Sequence, residues 1–356
     1  MFHKINLLNF DRLKMKEFFR SIGEKSFCAD QVMIWIYHYF CDDFNKMTNI
    51  KITLREKLKN ISIIKTPKFI KKYYSIDGTV KWIVNINNHI VETVYIPEKS
   101  RGTLCISSQV GCVLNCHFCS TGQQKFNRNL LVSEIIGQIW IAHKKINKMK
   151  NYPSITNIVM MGMGEPLLNL NNVVTALKIM SDNFGFNISK KKITISTSGI
   201  VPALNKLSNI IDIKLAISLH ASNDELRNKL MPINKKYNIS LLLMTVTQFL
   251  KKSKINKKGI TIEYIMLHNI NDTLLHAQEL VKILKNIPSK INLIPWNSFS
   301  NSKFLCSKFS QIQKFSNFLI NKGFITTVRK SRGQDIHAAC GQLTGIISHQ
   351  IKNSNI

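Results

Sequence analysis

Residues 111–122, GCVLNCHFCSTG, carry three cysteines in a C-x3-C-x2-C pattern, and no fourth cysteine follows nearby. A structural zinc site closes its coordination sphere with four protein ligands. His117 lies between Cys116 and Cys119, where binding to the same metal would be awkward. Three thiolates on one short loop, with Cys112 as the first, instead favour a [4Fe–4S] cluster that leaves one iron open. An open iron can bind a substrate that chelates it.

The composition indicates a globular protein. Of the 356 residues, 44% are hydrophobic, and no apolar run approaches the roughly 20 residues of a membrane span. The N-terminal segment carries charges throughout and lacks the uninterrupted apolar stretch of a signal peptide. We therefore predict a cytoplasmic protein without membrane contact. Cys28, Cys41 and Cys306 have apolar neighbours and are predicted to be buried small hydrophobes.

The net charge is +30, from 50 Lys and Arg against 20 Asp and Glu. Such an excess predicts attraction to a polyanion such as RNA or DNA. Lys, Asn and Ile are also over-used together, as in residues 251–259, KKSKINKKG. A bias in the base composition of the gene is an alternative explanation of the positive charge. We attribute about half of the excess of Lys and Arg to this bias.

The first 97 residues are predicted to form an accessory module that binds RNA. Residues 1 to about 75 are predicted to be helical, most clearly at 31–40 (QVMIWIYHYF) and 52–61 (ITLREKLKNI). Two alternating segments, 80–86 and 89–96, then predict a hairpin. The Asn-Asn pair between them suits the positive φ angles of a tight turn.

Between residues 98 and 343, short β-branched segments alternate with helical ones. This order predicts an α/β fold with a parallel sheet, either open or rolled into a barrel. The predicted strands are 103–108, 156–162, 192–197, 213–220, 259–267, 290–296 and 324–330. The predicted helices between them include 132–146, 171–182 and 274–286. Residues 344–356 are predicted to be a C-terminal tail.

Reactive and polar residues follow the ends of these predicted strands. Active sites of parallel α/β folds lie at the carboxyl ends of the strands. The sequence therefore predicts one site at this edge, built from the three cysteines and from Gly164, Glu165, Ser196, Ser198, Ser218, His220 and Asn297.

The cysteine motif, with Phe118 before its last cysteine, resembles that of radical S-adenosylmethionine (SAM) enzymes. The resemblance implies a partial (β/α)6 barrel with the cluster after its first strand and SAM on the open iron. The chain is further similar to the radical SAM RNA adenine-C2 methyltransferases, in segments 103–130, 160–169 (MMGMGEPLLN), 218–221 (SLHA), 295–297 (PWN) and 333–343 (GQDIHAACGQL).

This family resemblance implies a mechanism with two SAM molecules. One SAM methylates the thiolate of Cys340, and a radical from the second activates that S-methyl group for addition to C2 of adenine. Glu92 accepts the C2 proton. Cys105 then attacks the Cys340 sulfur, which releases methylated RNA and leaves a Cys105–Cys340 disulfide. On residue type alone, a hairpin carboxylate is usually solvated and a strand cysteine usually belongs to the core.

The resemblance also implies which residues contact SAM. Glycine allows close backbone approach, and a carboxylate can accept hydrogen bonds from the SAM amino group. The implied contacts are Gly164, Glu165, Ser196, Ser218, Leu219, His220 and Asn297.

The implied substrates are an adenine of 23S rRNA near the peptidyl-transferase centre and the adenine 3′ of the tRNA anticodon. A low-potential electron donor of the flavodoxin type and a monomeric enzyme are expected. Two alternatives stay open. One is a Cfr-like methyltransferase that uses the same cysteines to modify C8 of adenine, and the other is a non-catalytic iron–sulfur or zinc protein that only binds RNA.

Overall fold

The structure is a computed structural model that describes residues 4–299 and 302–345. The predicted tail, 344–356, therefore lies outside the described residues except for its first two positions. Within the described ranges, no helix is long and apolar enough to cross a membrane.

The N-terminal part of the chain is helical as far as residue 61. Its elements are β1 (Ile5–Asn6), α1 (Arg12–Ser21), α2 (Ser26–Tyr37), α3 (Ile52–Ile61) and β2 (Ser62–Ile63). Helices α1 and α2 pack on each other, and β1 pairs in parallel with β2. The indole of Trp140 donates a 2.7 Å hydrogen bond to the carbonyl oxygen of Ile36, which attaches this unit to the rest of the molecule.

Three antiparallel strands follow: β3 (Lys68–Tyr74), β4 (Val80–Ile86) and β5 (His89–Pro97). The predicted hairpin is confirmed, and its turn residues Asn87 and Asn88 have φ angles of 47° and 68°. The prediction of helix up to about residue 75 is wrong at its end. Residues 68–74 are β-branched and aromatic at several positions and pair with the free edge of β4, and this pairing outweighs their local helical spacing.

The remaining strands alternate with helices. Their bounds are β6 (Gly102–Cys105), β7 (Gln109–Val110), β8 (Arg128–Asn129), α4 (Val132–Ile146), β9 (Ile155–Met160), α5 (Leu170–Ser181), β10 (Ile193–Thr197), α6 (Val201–Ile210), β11 (Lys214–Ser218), α7 (Asp224–Leu230), α8 (Ile239–Lys252), β12 (Ile260–Met266), α9 (Leu274–Leu284), β13 (Ser289–Pro295), α10 (Phe309–Asn321) and β14 (Ile325–Val328). Each of the seven predicted strands has its counterpart here, and so has each predicted helix.

The described residues form one ten-stranded sheet in the order β14-β13-β12-β11-β10-β9-β6-β5-β4-β3. Its strands from β6 to β14 run parallel to one another. The hairpin continues the same sheet in antiparallel fashion, because β5 pairs with β6 through Val94 and Cys105. The α/β prediction is therefore confirmed, and the hairpin adjoins the strand that precedes the three-cysteine loop.

Cys28 and Cys41 are buried as predicted, whereas Cys306 is exposed. The prediction for Cys306 is wrong because its segment pairs with Leu267 through an isolated bridge and leaves the Cys306 side chain exposed. Its apolar sequence neighbours include Leu305, whose side chain is also exposed.

Candidate active site

The three-cysteine loop leaves the sheet after β6 and is closed at its base by the short β7–β8 ladder. Gly111, with φ of 72°, makes the turn into the loop, and a Cβ there would lie 2.3 Å from the carbonyl oxygen of Lys125. At the far end, a Cβ on Gly122 would lie 2.7 Å from the carbonyl oxygen of Cys116. The loop can wind this tightly because both positions are glycine.

The side chains of Cys112, Cys116 and Cys119 line one common cavity. Burial raises the pKa of Cys112 to about 12 and raises the pKa values of Cys116 and Cys119 as well. Within residues 4–299 and 302–345, no three His, Cys, Asp or Glu side chains are grouped closely enough to bind a single metal ion. Three thiols around one shared cavity, too far apart to bind a single metal ion, match a cluster whose irons are held separately.

A second cavity adjoins the cysteine loop and lies at the carboxyl ends of the parallel strands. It is lined by Phe118, Cys119, Gly164, Glu165, Ser196, Ser198, Ser218, His220, Glu263, Arg329 and Cys340. We call it the strand-end cavity. The hydroxyl oxygens of Ser196 and Ser218, from neighbouring strands, are 3.4 Å apart at its wall. The fold therefore brings most of the predicted site residues together here, whereas Cys112 and Cys116 line the neighbouring cavity of the cysteine loop and Asn297 lines a third cavity.

Glu165 is 3% exposed, and both of its carboxylate oxygens accept backbone hydrogen bonds. Oε1 accepts from Leu167 N at 3.0 Å, and Oε2 accepts from Ser198 N at 2.8 Å. Burial raises the pKa of this carboxyl above its ordinary value, while these hydrogen bonds oppose the rise. Gly164 has φ of 96°, and a Cβ there would lie 2.4 Å from Cβ of Gln109. This turn therefore requires glycine and brings Glu165 into the cavity wall.

His220 is buried with a φ of 59°. Its Nδ1 accepts a 3.1 Å hydrogen bond from Ile265 N, and its ring meets Phe118 edge-on at 4.8 Å between centroids. Burial, reinforced by the charge of Arg227, lowers the pKa of His220 to about 3. The imidazole is therefore neutral at ordinary pH. Leu219, its neighbour, is fully buried with its backbone N–H bonded to Glu263 O, so it contributes packing.

A third cavity brings together Cys105 and Cys340, which lie near opposite ends of the region 98–343. Cys119, Asn297 and Arg329 line it as well, and we call it the two-cysteine cavity after Cys105 and Cys340. Cys340 also lines the strand-end cavity, so this residue borders both spaces. Burial raises the pKa of Cys105 to about 12, with a further rise from the nearby Cys340.

The C-terminal segment 333–345 forms part of the wall of both cavities, through Cys340 and Gly341. Asp335 accepts hydrogen bonds from Ser75 Oγ at 2.6 Å and Ile76 N at 3.1 Å. Asn297 Nδ2 donates to the carbonyl oxygen of Cys340 at 3.3 Å, and Gln342 Nε2 donates to Ser298 O at 2.7 Å. These anchors come from the turn before β4 and from the loop after β13. Together they fix the segment on both sides of Cys340.

Comparison with known proteins agrees with this architecture. Residues 5–64 match the model of the ribosomal RNA large subunit methyltransferase N-terminal domain, and residues 106–281 match that of the radical SAM superfamily. The chain is 60% identical over 349 residues to the dual-specificity RNA methyltransferase RlmN of Buchnera aphidicola subsp. Acyrthosiphon pisum, covering 98% of this chain and 96% of that protein.

The chain belongs to the RlmN family.

The RlmN protein of Buchnera aphidicola subsp. Schizaphis graminum is 59% identical over 350 residues, 98% of this chain and 96% of that protein. Among solved structures, a radical SAM methyltransferase from Sphaerobacter thermophilus is 33% identical with a TM-score of 0.89, covering 96% of this chain and all of that one. Membership of the radical SAM superfamily brings with it a [4Fe–4S] cluster and SAM as cofactors. The donor set of the cysteine loop fits such a cluster.

Glu92 lies deeper in this RlmN-family fold than its sequence setting suggests. It is 1% exposed, although a hairpin carboxylate is usually solvated. Within the described chain it lines neither the strand-end cavity nor the two-cysteine cavity. It occupies the same face of β5 as Val94, which does line the two-cysteine cavity. Glu92 is thus two strand positions from Val94, the residue of β5 that borders the space beside Cys105.

Sequence reasoning missed several charged residues of the site, among them Arg329, Arg227 and Lys81. Arg329 follows β14 at the same sheet edge as the other site residues, so the strand-end rule could have identified it. Arg227 is fully buried and bonds to the carbonyl oxygens of Ser198, Ser218 and Leu219. Lys81 on β4 is buried beside Glu92. Neither Arg227 nor Lys81 belongs to a sequence motif, and only the fold reveals their contacts.

Proposed function

We propose that this protein is a radical SAM methyltransferase that methylates C2 of an adenine in 23S rRNA, near the peptidyl-transferase centre, and of the adenine 3′ of the anticodon in tRNA. The observation that carries the proposal is that Cys340 borders both the strand-end cavity and the two-cysteine cavity. A methyl carrier must reach its methyl donor and then its substrate. A side chain that lines both cavities meets both requirements.

The cysteine loop would hold the cluster through Cys112, Cys116 and Cys119, and the strand-end cavity would hold SAM. The polar residues of its wall are suited to the SAM amino, carboxylate and ribose groups. Asn297 lines the two-cysteine cavity and is tied to the Cys340 carbonyl, so any SAM contact by Asn297 would occur near the methyl acceptor. When bound, the cluster and SAM supply the methyl group and the radical chemistry that an electron-poor ring carbon requires.

Cys105 would complete the cycle. Burial raises the pKa of Cys105 to about 12, so its thiol gives up a proton as Sγ attacks Cys340 Sγ. The bond from Cys340 Sγ to the methylene carbon breaks, and the electron pair stays with the carbon, which takes up a proton to become the methyl group. The two sulfurs are oxidised to a disulfide, and cellular thiols reduce it before the next turnover. Both cysteines line one cavity and are free thiols in this structure, which supports such an exchange.

The RNA partner is supported by charge. The chain carries a net charge of +30, and neutralising phosphates would release counterions and favour binding. A target adenine must leave its stack to enter a buried cavity, at a cost of a few kcal/mol. Phosphate contacts by the 1–97 module, which we propose as the RNA-binding part, would offset this cost. We further propose that the protein acts in the cytoplasm as a monomer and receives electrons from a flavodoxin-type donor.

Nucleoside mass spectrometry tests the proposal directly. The iron-reconstituted protein is incubated anaerobically with reductant, SAM and either 23S rRNA or tRNA. Formation of 2-methyladenosine in both RNAs is expected. Cys340→Ala should abolish it, and Cys105→Ala should leave RNA covalently attached to the protein. Cys306→Ala, at an exposed cysteine outside the site, is the matched control and should retain activity.

The other outcomes discriminate among functions. A product of 8-methyladenosine would reassign the protein to the Cfr-like C8 chemistry. RNA binding without any methylated base, in a protein with a full cluster, would support a non-catalytic RNA-binding role and overturn the proposal.

A further inference from the structure

Lys81 is a buried lysine for which the reaction described above has no use. Its side chain is 8% exposed, on a strand whose neighbours are mostly apolar. A buried ammonium group is costly unless other groups replace its water. Three groups do so here: the carboxylate of Glu92, the carbonyl oxygen of His337 and the ring of Tyr73.

The register of the sheet explains why Lys81 reaches Glu92. Lys81 on β4 pairs with Val94 on β5, and Val94 pairs in turn with Cys105 on β6. Paired residues share a face of the sheet, and Glu92 is two positions before Val94 on that same face. Lys81 and Glu92 are therefore diagonal neighbours beside the two-cysteine cavity. A long lysine side chain can span that diagonal.

The two oxygens of Glu92 have different surroundings. Oε1 accepts hydrogen bonds from Gly345 N at 3.0 Å and from Thr344 N at 3.3 Å. Oε2 is 3.4 Å from Lys81 Nζ and has no hydrogen-bond partner within the described residues. Oε1 thus binds the backbone of the C-terminal segment. Oε2 has a lone pair free to accept a proton, and Lys81 is its counter-ion.

Lys81 also connects Glu92 to the segment that carries Cys340. Its Nζ donates a 3.1 Å hydrogen bond to the carbonyl oxygen of His337, three residues before Cys340. The same Nζ lies 5.4 Å from the centroid of the Tyr73 ring, which limits its position from the other side. One ammonium group therefore contacts both the carboxylate and the loop of the methyl carrier.

We propose that Lys81 is the positioning residue for proton removal from the RNA adduct. It fixes the position of Glu92 Oε2 relative to the loop that carries Cys340. The inference rests on the proposed function. In the step concerned, the C2–H bond of the adduct breaks, its electron pair stays on the base, and the proton goes to Glu92 Oε2, which becomes a neutral carboxylic acid. Lys81 keeps its own proton and its bond to His337.

Separate readouts distinguish positioning from simple structural support. Methyl transfer to Cys340 precedes any need for Glu92, so it can be measured in the protein without RNA by intact-protein mass spectrometry. The covalent RNA–protein adduct is measured on denaturing gels, and 2-methyladenosine by nucleoside mass spectrometry. A lysine that only maintained the fold would affect the first reaction and the last one equally.

The variants are Lys81→Met, Lys81→Gln and Lys81→Arg, with Lys71→Met as matched control. Lys71 also lies over the Tyr73 ring, at 5.0 Å, but its side chain is exposed and, within the described residues, forms no ion pair with Glu92. Lys81→Gln keeps a donor for His337 and loses the charge. Iron content and circular dichroism verify folding of each variant.

For Lys81→Met and Lys81→Gln we expect Cys340 methylation within about twofold of the parent, 2-methyladenosine reduced at least roughly 20-fold, and the adduct increased about fivefold or more. Lys81→Arg should restore most product formation, and Lys71→Met should match the parent. The inference is overturned if Lys81→Gln forms product normally, or if Cys340 methylation falls in parallel with product. Absence of 2-methyladenosine from the parent itself would instead refute the proposed function.

Discussion

Ser120 and Gly341 are joined backbone to backbone: the N–H of Ser120 donates a 2.8 Å hydrogen bond to the carbonyl oxygen of Gly341. Ser120 directly follows Cys119, and Gly341 directly follows Cys340. The bond therefore links the last cysteine of the three-cysteine loop to the proposed methyl carrier. Thr121 Oγ1 adds a second link, a 2.7 Å hydrogen bond to the carbonyl oxygen of Leu343.

Replacing Gly341 should disturb this link. Gly341 has φ of 82°, and an added Cβ would meet only the Phe118 carbonyl oxygen at an ordinary 3.5 Å, so the cost of Gly341→Ala is conformational. That cost is about 1–2 kcal/mol. We expect methylation to fall roughly 5- to 30-fold while iron content stays normal. Gly323→Ala has a similar φ of 86°, open surroundings and no contact with the site, so it should retain activity.

Arg227 should be required for SAM binding even though its bonds go to the protein. It is 0% exposed and holds the carbonyl oxygens of Ser198, Ser218 and Leu219, at the ends of β10 and β11. Arg227→Met leaves these buried acceptors unpaired, which costs roughly 2–4 kcal/mol. Equilibrium dialysis should show SAM affinity reduced at least about tenfold. Lys229→Met, at an exposed position on the same helix, should bind SAM normally.

Asp335 should restrain the segment that carries Cys340. Its carboxylate accepts from Ser75 Oγ and Ile76 N, so Asp335→Ala removes two hydrogen bonds that hold segment 333–345 to the turn before β4. Hydrogen–deuterium exchange should become faster in residues 333–343 and stay unchanged in the parallel strands. Methylation should fall roughly tenfold. Unchanged exchange in 333–343 would contradict this anchoring role, and Asp42→Ala, at an exposed ion pair, serves as control.

His143 should make stability depend on pH. Its ring stacks on Phe40 at 5.3 Å and Phe186 at 5.8 Å, and burial lowers its pKa to about 4 from an ordinary 6.5. Below pH 6.5 the unfolded chain takes up a proton that the folded protein excludes. The contribution of neutral His143 to the free energy of unfolding is therefore complete above pH 6.5. It is lost as the pH falls toward 4, by up to about 3 kcal/mol.

Urea unfolding of the cluster-free protein at pH 7 and pH 4.5 measures this loss. His143→Phe should flatten the pH dependence, because a phenyl ring keeps the stack and cannot be protonated. His38→Phe, at an exposed position, should leave the pH dependence as it is. If the free energy of unfolding changes with pH equally in the parent and in His143→Phe, other groups control the stability in acid.

The parallel strands were predictable because each is a short β-branched segment between helical ones, and residues such as Glu165 and Ser218 follow directly from their positions at strand ends. The exposed Cys306 and the strand β3 were not predictable, since burial and strand pairing depend on neighbours distant in the chain. Assignments of Glu92, Cys105 and the SAM contacts to catalytic or binding roles stay predictions.

The contacts of Lys81 and Asp335 also could not be predicted from the sequence pattern, because their partners are distant in the chain. Lys81 meets His337 across 256 positions, and Asp335 meets Ser75 across 260. No local periodicity carries information over such distances. A single sequence can indicate which residues belong to strand ends, but it does not indicate which distant segment closes over them.

These separations also bear on how the molecule is assembled. Pairing of β9 to β14 uses strands that are near neighbours in the chain, whereas the closing of segment 333–345 over β4 and β5 joins positions more than 250 residues apart. Contacts of long sequence separation form late, because the entropy of closing a long loop must be offset by structure already present. The parallel sheet with its three-cysteine loop is therefore expected to fold before segment 333–345 docks, so that a chain still being completed has the sheet but not yet Cys340, the proposed methyl carrier, in position.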